Sequence, residues 1–305
     1  MVSSDDDDST VNTDDEEFSD FISSQWKDSV EVGLTIEYPL PFTNYLADPA
    51  IEKEGEDAIV GKRVQIDGES NADQAENTGP RLPALNLSTV LQEGSIAPLF
   101  DGTQWAGTRV WKAAVVGLEY ILRQRQSEKL GALLELGCGL GVPGMIWKQV
   151  LNADEGSSSP RVVLTDRDSL VPQLQANVEE NFAGDSSIEA VALDWSTEGI
   201  ASLLESEKET HNTVFDVCIN CDCVYEPLYG RKAWESLVDV LSEIALTSPS
   251  TLLVTALERR NADNVEGFLA GLEATGRVET PIRRVLRHDE DPHHVIEIYV
   301  TKGKA

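Results

Sequence analysis

The sequence predicts an α/β protein: a mostly parallel sheet wrapped on both faces by helices, with an antiparallel strand at its C-terminal end. Three observations predict it. From about residue 108, short apolar runs alternate with stretches of helical period. A glycine-dense turn, "LLELGCGLGVPG", joins the first run to the helix that follows. The last two extended segments, within "RRVLRHDEDPHHVIEIYVTK", follow one another through a turn with no helix between them. Alternation of strand and helix gives a parallel sheet, and the closing hairpin-like pair adds the antiparallel edge.

The elements follow in order. Residues 30–38, "VEVGLTIEY", alternate apolar and polar with period two and read as a strand, which "YPLPF" stops. Residues 47–83 are rich in Gly, Asp, Glu, Asn and Pro and read as a long linker with a short strand at "KRVQI". "RVWKAAVVGLEYILRQ" is an amphipathic helix, and "ALLEL" a buried strand ended by glycines. "VPGMIWKQVL" is helical, because Pro143 sits in a first turn where its missing N–H costs nothing. Strands at "RVVLTD", "IEAVALDW", "FDVCINCD" and "STLLVTAL" are then each followed by a helix: "SLVPQLQANVEENF", "TEGIASLLESEKE", "GRKAWESLVDVLSEIAL" and "ADNVEGFLAGLEATG". No internal repeat is visible.

At 305 residues and 33.3 kDa the chain can bury a sizeable core. Its formal net charge of −30 is concentrated at the front, where residues 1–80 hold 21 acidic and 4 basic residues. Such a segment repels itself and buries little apolar surface, so residues 1–80 are expected to form an acidic, partly disordered extension ahead of a domain spanning 81–305. The sign of the field disfavours nucleic acid as a partner. No apolar run approaches a membrane span, and no signal-like start opens the chain. The four cysteines do not resemble a secreted disulfide framework. A cytoplasmic protein is expected, with the nucleus as the alternative, bound to no membrane.

In open sheets of this kind the ligand lies at the carboxyl ends of the strands. A literal G-x-G-x-x-G stands at Gly139, Gly141 and Gly144, so a nicotinamide dinucleotide has to be weighed, although the pattern alone is weak. The strand ends at Leu136, which makes Gly137, Gly139 and Gly141 the turn and puts Glu135 just ahead of it. A carboxylate there suits a cofactor bearing an ammonium and a sulfonium better than a pyrophosphate. Asp166, ending the next strand, can accept from two ribose hydroxyls of any adenosine cofactor. Asp194 can accept from an adenine amino group, and Trp195 offers either a flat face for that base or ordinary core packing. On the fourth strand Asp222 stands at the end and Tyr225 one turn on, a carboxylate and a phenol that could grip an amino group.

Cys218, Cys221 and Cys223 alternate between the faces of one strand and are expected to be buried rather than to bind metal. "PHH" at 292–294 reads as a turn. Trp105, Gly107, Arg109 and Trp111 precede the first long helix and suit a packing and turn role.

Together these residues resemble the seven-stranded, Rossmann-like class I S-adenosylmethionine-dependent methyltransferases. Within them the chain is most similar to the protein lysine methyltransferase branch (the methyltransferase-like 21 and lysine methyltransferase 16 type) that modifies elongation factors, chaperones and the valosin-containing ATPase. The resemblance runs from about residue 100 to 302 and rests on "RVWKAA", "ELGCGLGVPG", "LTDRD", "LDW", "DCVY" and "ALERRN". "LERR" departs from it, standing where relatives often carry an aromatic before the glutamate. The resemblance implies S-adenosyl-L-methionine held by Trp111, Glu135, Gly137, Gly139, Gly141, Asp166, Asp194, Trp195 and Cys221, with no metal. It implies Asp222 and Tyr225 as catalytic residues, and a protein lysine acceptor, an elongation factor or chaperone among the candidates, met by a monomer. A lysine amine, with an ordinary pKa near ~10.4, must first lose its proton. Two alternatives stand beside this reading: a small-molecule N-methyltransferase on the same fold, and a non-catalytic binding module.

Overall fold

The structure, a computed structural model, describes residues 34–36, 82–88, 106–153, 160–291 and 294–304. Most of the acidic front, the "KRVQI" segment, Trp105, and Pro292 and His293 of the turn lie outside the described residues.

The sheet that carries the fold contains β3 (Leu133–Leu136), β4 (Val162–Asp166), β5 (Ile188–Ala192), β6 (Val217–Cys221), β7 (Leu252–Arg259), β8 (Arg283–Asp291) and β9 (His294–Thr301). Their order is β5-β4-β3-β6-β7-β9-β8. The first five are mutually parallel, while β9 runs antiparallel to β7 and β8 antiparallel to β9. Both of the last two strands thus form the antiparallel edge. Helices α1 (Lys112–Glu128), α2 (Val142–Ala153), α3 (Val171–Phe182), α4 (Thr197–His211), α5 (Glu226–Tyr229), α6 (Arg231–Thr247) and α7 (Val265–Ala274) fill the crossovers. Each falls on a stretch of helical period except the one-turn α5, which four residues are too few to announce.

The strand faces divide the core in two. Leu133 points into a cluster with Ile121, Met145, Ile146 and Leu174 from α1, α2 and α3. Leu134 and Leu136 point into a second with Ile200, Leu237, Leu241 and Phe268 from α4, α6 and α7. Period-two alternation through a strand covered on both sides explains why "LLEL" is apolar except at Glu135.

A short pair, β1 (Leu34–Ile36) with β2 (Leu85–Leu87), lies apart from that sheet. Side-chain amides fasten it to α3: Asn86 N donates to Asn181 Oδ1 at 2.8 Å, Asn181 Nδ2 returns a bond to Asn86 O at 2.8 Å, and Ser88 N donates to Asn177 Oδ1 at 2.7 Å. Leu85 and Leu87 are buried in the first core cluster, so residues far ahead of the sheet belong to its packing.

No described helix is long and apolar enough to cross a membrane.

Candidate functional site

From β3 the chain proceeds outward to β4 and β5, then returns to β6 on the other side of β3. The strand order reverses there, and a crevice opens at the carboxyl ends of β3 and β6. A cavity of about 590 Å3 occupies it, walled by Trp111, Glu135, Gly137, Gly139, Asp166, Asp194, Trp195 and Cys221 among others. That volume suits a single small-molecule cofactor.

Glu135 is 2% exposed, and its Oε2 accepts from Gly144 N at 2.8 Å at the start of α2. Burial pushes its carboxyl up to about 8; the Gly144 bond opposes this and the Asp166 charge adds to it. A carboxyl so desolvated gains most from a cationic partner. Asp166 accepts from Gly139 N at 2.8 Å through one oxygen and from Arg167 N at 2.8 Å through the other. Burial raises its carboxyl too, against those two bonds. Asp166 itself lines the cavity, and each of its oxygens keeps further accepting capacity.

The glycine turn is built for close approach. Gly137 and Gly139 have φ of +61° and +55°, which L side chains rarely adopt. A Cβ at Gly137 would stand 2.8 Å from Cys223 Sγ and 3.1 Å from the Trp195 ring, and one at Gly139 would stand 3.0 Å from the Gly107 carbonyl oxygen. Gly141 differs: its Cβ would meet Leu174 and Leu164 at 2.8 and 2.9 Å, so it seats the turn on the core behind the cavity wall. Gly144, the last glycine of the literal G-x-G-x-x-G, is likewise a packing position, where a Cβ would collide with Leu164 and stand 2.8 Å from Glu135 Oε2.

Trp195 lines the cavity and also packs against the second core cluster. Cys221 and Cys223 line the cavity as free thiols, which burial pushes far up and so keeps protonated. Cys218 is fully buried. Among the described residues, the cluster spaced for a metal ion is Glu189, Glu207 and His211, and the Arg161 guanidinium already lies among its carboxylates.

Asp222 and Tyr225 are not among the residues that line the cavity. Asp222 adopts φ +57°, which a short carboxylate tolerates, and is 4% exposed. Its Oδ1 accepts from Glu258 N at 3.0 Å. Arg260 grips it bidentately, Nη1 to Oδ1 at 2.9 Å and Nη2 to Oδ2 at 2.8 Å, and also reaches Glu258 Oε2 at 2.7 Å. The same guanidinium lies 5.5 Å from the Trp111 ring centroid and 5.2 Å from that of Tyr225. Burial opposes its charge, but the bonds and charge of Asp222 outweigh burial and hold Arg260 firmly cationic. Trp111 therefore faces the cavity and Arg260 together, while its indole N–H donates to Ala106 O at 3.0 Å.

Arg260 and Tyr229 are the residues the sequence did not single out. Tyr229 lines the cavity, and burial, with the nearby Cys223 and Asp222, keeps its phenol protonated. Their signals were position alone: Arg260 follows the end of β7, and Tyr229 repeats the aromatic of "YEPLY".

A family model described as lysine methyltransferase matches residues 99–274. The chain is 34% identical over 144 residues to secreted RxLR effector protein 48 of Plasmopara viticola, covering 44% of this chain and 66% of that protein. It is 28% identical over 134 residues to protein-lysine N-methyltransferase EFM2 of Saccharomyces cerevisiae, covering 44% of this chain and 30% of that one. With protein-lysine N-methyltransferase EFM6 of the same yeast it shares 27% over 195 residues, 61% of this chain and 73% of that one. The matches thus span less than two thirds of the length of the first two relatives.

Proposed function

The chain belongs to the lysine methyltransferase family, and from that premise we propose that it transfers a methyl group from S-adenosyl-L-methionine to a lysine side chain of a protein substrate. The observation that carries the reading is the donor set of the cavity. A buried carboxyl at Glu135 fits an ammonium, Asp166 a ribose, and Asp194 with Trp195 an adenine, around a turn too tight for side chains. When bound, the cofactor supplies a methyl group made electrophilic by its sulfonium.

The chain's own residues position and exclude water rather than perform covalent chemistry. Glu135 and Asp166 fix the two polar ends of the cofactor, and the protonated thiols of Cys221 and Cys223 give the space beside them an apolar wall. Asp222 and Tyr225 are assigned to the acceptor side, where a carboxylate attracts the cationic lysine and a partly dry surrounding lowers its pKa. The net charge of −30 favours encounter with a basic substrate surface. Elongation factors and chaperones are the protein classes we propose to test first, in the cytoplasm, where the four free cysteines stay reduced.

Methyl-labelled cofactor incubated with the full chain and a lysate of the cells that make it tests the reading. Label recovered as Nε-methyl-lysine after acid hydrolysis of protein supports it. Label confined to small molecules would favour the alternative N-methyltransferase.

A further inference from the structure

We propose that Arg260 is an internal surrogate for the acceptor: its guanidinium occupies the cation slot formed by Trp111, Tyr225 and Asp222, and yields that slot to an incoming cationic side chain. The inference rests on the methyl-transfer reading and deepens it, because it names what the slot selects.

The slot has the chemistry of a cation receptor. Two aromatic rings flank one cation at 5.5 and 5.2 Å, and a 4%-exposed carboxylate forms its floor. Trp111 is shared with the cofactor cavity, so the slot abuts the place where a methyl donor would lie. Glu258 Oε2, 2.7 Å from Arg260 Nη2, offers the guanidinium an anchor that does not depend on Asp222. Arg260 can therefore release the floor without losing every anionic partner.

Selectivity follows from the exchange. A buried carboxylate left without a counter-ion is strongly disfavoured, so Arg260 gives way only to another cation. A lysine ammonium qualifies; a serine hydroxyl or a cysteine thiol does not. Once seated, the lysine passes a proton to the Asp222 carboxylate, which is then neutral and needs no counter-ion, and the nitrogen lone pair forms the new C–N bond as the C–S bond breaks and its electron pair stays on sulfur.

Arg260→Lys tests this directly, because it places a primary amine in the slot. The purified full chain carrying the substitution is incubated with S-adenosylmethionine and a lysine-containing peptide library, and methyl groups are located by mass spectrometry. Methylation at position 260 is the expected result. Methylated library peptides with none at position 260 would overturn the inference and leave the function intact. No transfer to any acceptor by the wild type, with no cofactor binding in calorimetry, would overturn the function and the inference together.

A second readout needs no turnover. In Arg260→Ala saturated with S-adenosylhomocysteine, n-butylammonium should shift the Trp111 indole N–H resonance, assigned through Trp111→Phe. Its apparent affinity should be at least about tenfold above the wild type's, with no response to neutral n-butanol. Equal affinities in the two proteins, or equal binding of the alcohol, would contradict the surrogate role.

Discussion

Asp222 separates holding the acceptor from holding the cofactor, and its surroundings sharpen what a substitution should do. Asp222→Asn keeps the shape, removes the charge, and leaves Arg260 paired with Glu258, so the fold should survive. Loss of one partner of a buried charged pair costs about 3–5 kcal/mol. If that cost falls on the transition state, single-turnover rates drop by roughly two to four powers of ten, at about 1.36 kcal/mol each. Cofactor affinity should change less than about threefold, because Asp222 is not among the residues that line the cavity. Abolished cofactor binding, or intact turnover, would place the acceptor elsewhere. Glu135 gives a pH test. With its carboxyl raised from 4.5 to about 8, it favours the folded state fully below 4.5 and loses that contribution as pH rises through 8. Pairing with an ammonium requires the carboxylate, so cofactor binding should release a proton below pH 8, and affinity should climb from pH 6 to 8. Calorimetry in buffers of different ionisation enthalpy reads that proton; none released would remove Glu135 from the ammonium's contacts. The carboxylates of this site were legible because each lies at or close to the carboxyl end of a strand that the apolar pattern marks. The Asp222–Arg260 pair was not, since 38 residues separate the partners in the chain.

At the scale of elements, the antiparallel edge anchors the segment that carries Arg260. Glu297 of β9 is fully buried and accepts from Arg284 Nη1 at 2.6 Å, Arg287 Nη1 at 3.0 Å, Arg259 Nη1 at 3.1 Å and Tyr299 Oη at 2.6 Å. Burial pushes its carboxyl up, yet the bonds from Tyr299 and Arg259 outweigh burial and hold it below its usual 4.5. The sign is that of a depressed acid: the contribution is present above pH 4.5 and is lost as pH falls through the lowered value. Glu297→Gln should cost about 2–3 kcal/mol, discounted for arginines that keep partial contact with water, and should flatten the acid limb of the stability profile. Urea unfolding between pH 3 and 7 measures both, and an unchanged profile would deny Glu297 that role. "HVIEIYVT" shows the limit of reading elements alone: its period two predicts the strand, with Glu297 on one face. That same period puts Tyr299 beside it, but nothing local says that three arginines also meet there, because charges are sorted by strand order, which the local pattern does not encode. The paired strands β1 and β2 were legible only in part, since "LNL" is too short to mark itself and is held by amides of α3.

For the whole molecule, charge and cofactor chemistry are separable. Removing residues 1–24 deletes acidic charge but no periodic apolar segment, so the fold and turnover on a short lysine peptide should persist. Slower turnover on the intact protein substrate should appear at low salt and fade as salt screens the field. A truncated chain inactive on the peptide would show that the front does more than steer. The reading of the crevice as a cofactor site is tested most directly by calorimetric titration of the full chain with S-adenosylmethionine and, separately, with a nicotinamide dinucleotide. The account predicts one site for S-adenosylmethionine, unaffected by chelators and severely weakened by Gly139→Val, whose side chain would require a strained φ and collide with the Gly107 carbonyl. Tight binding of the dinucleotide, with no heat from S-adenosylmethionine, would contradict it.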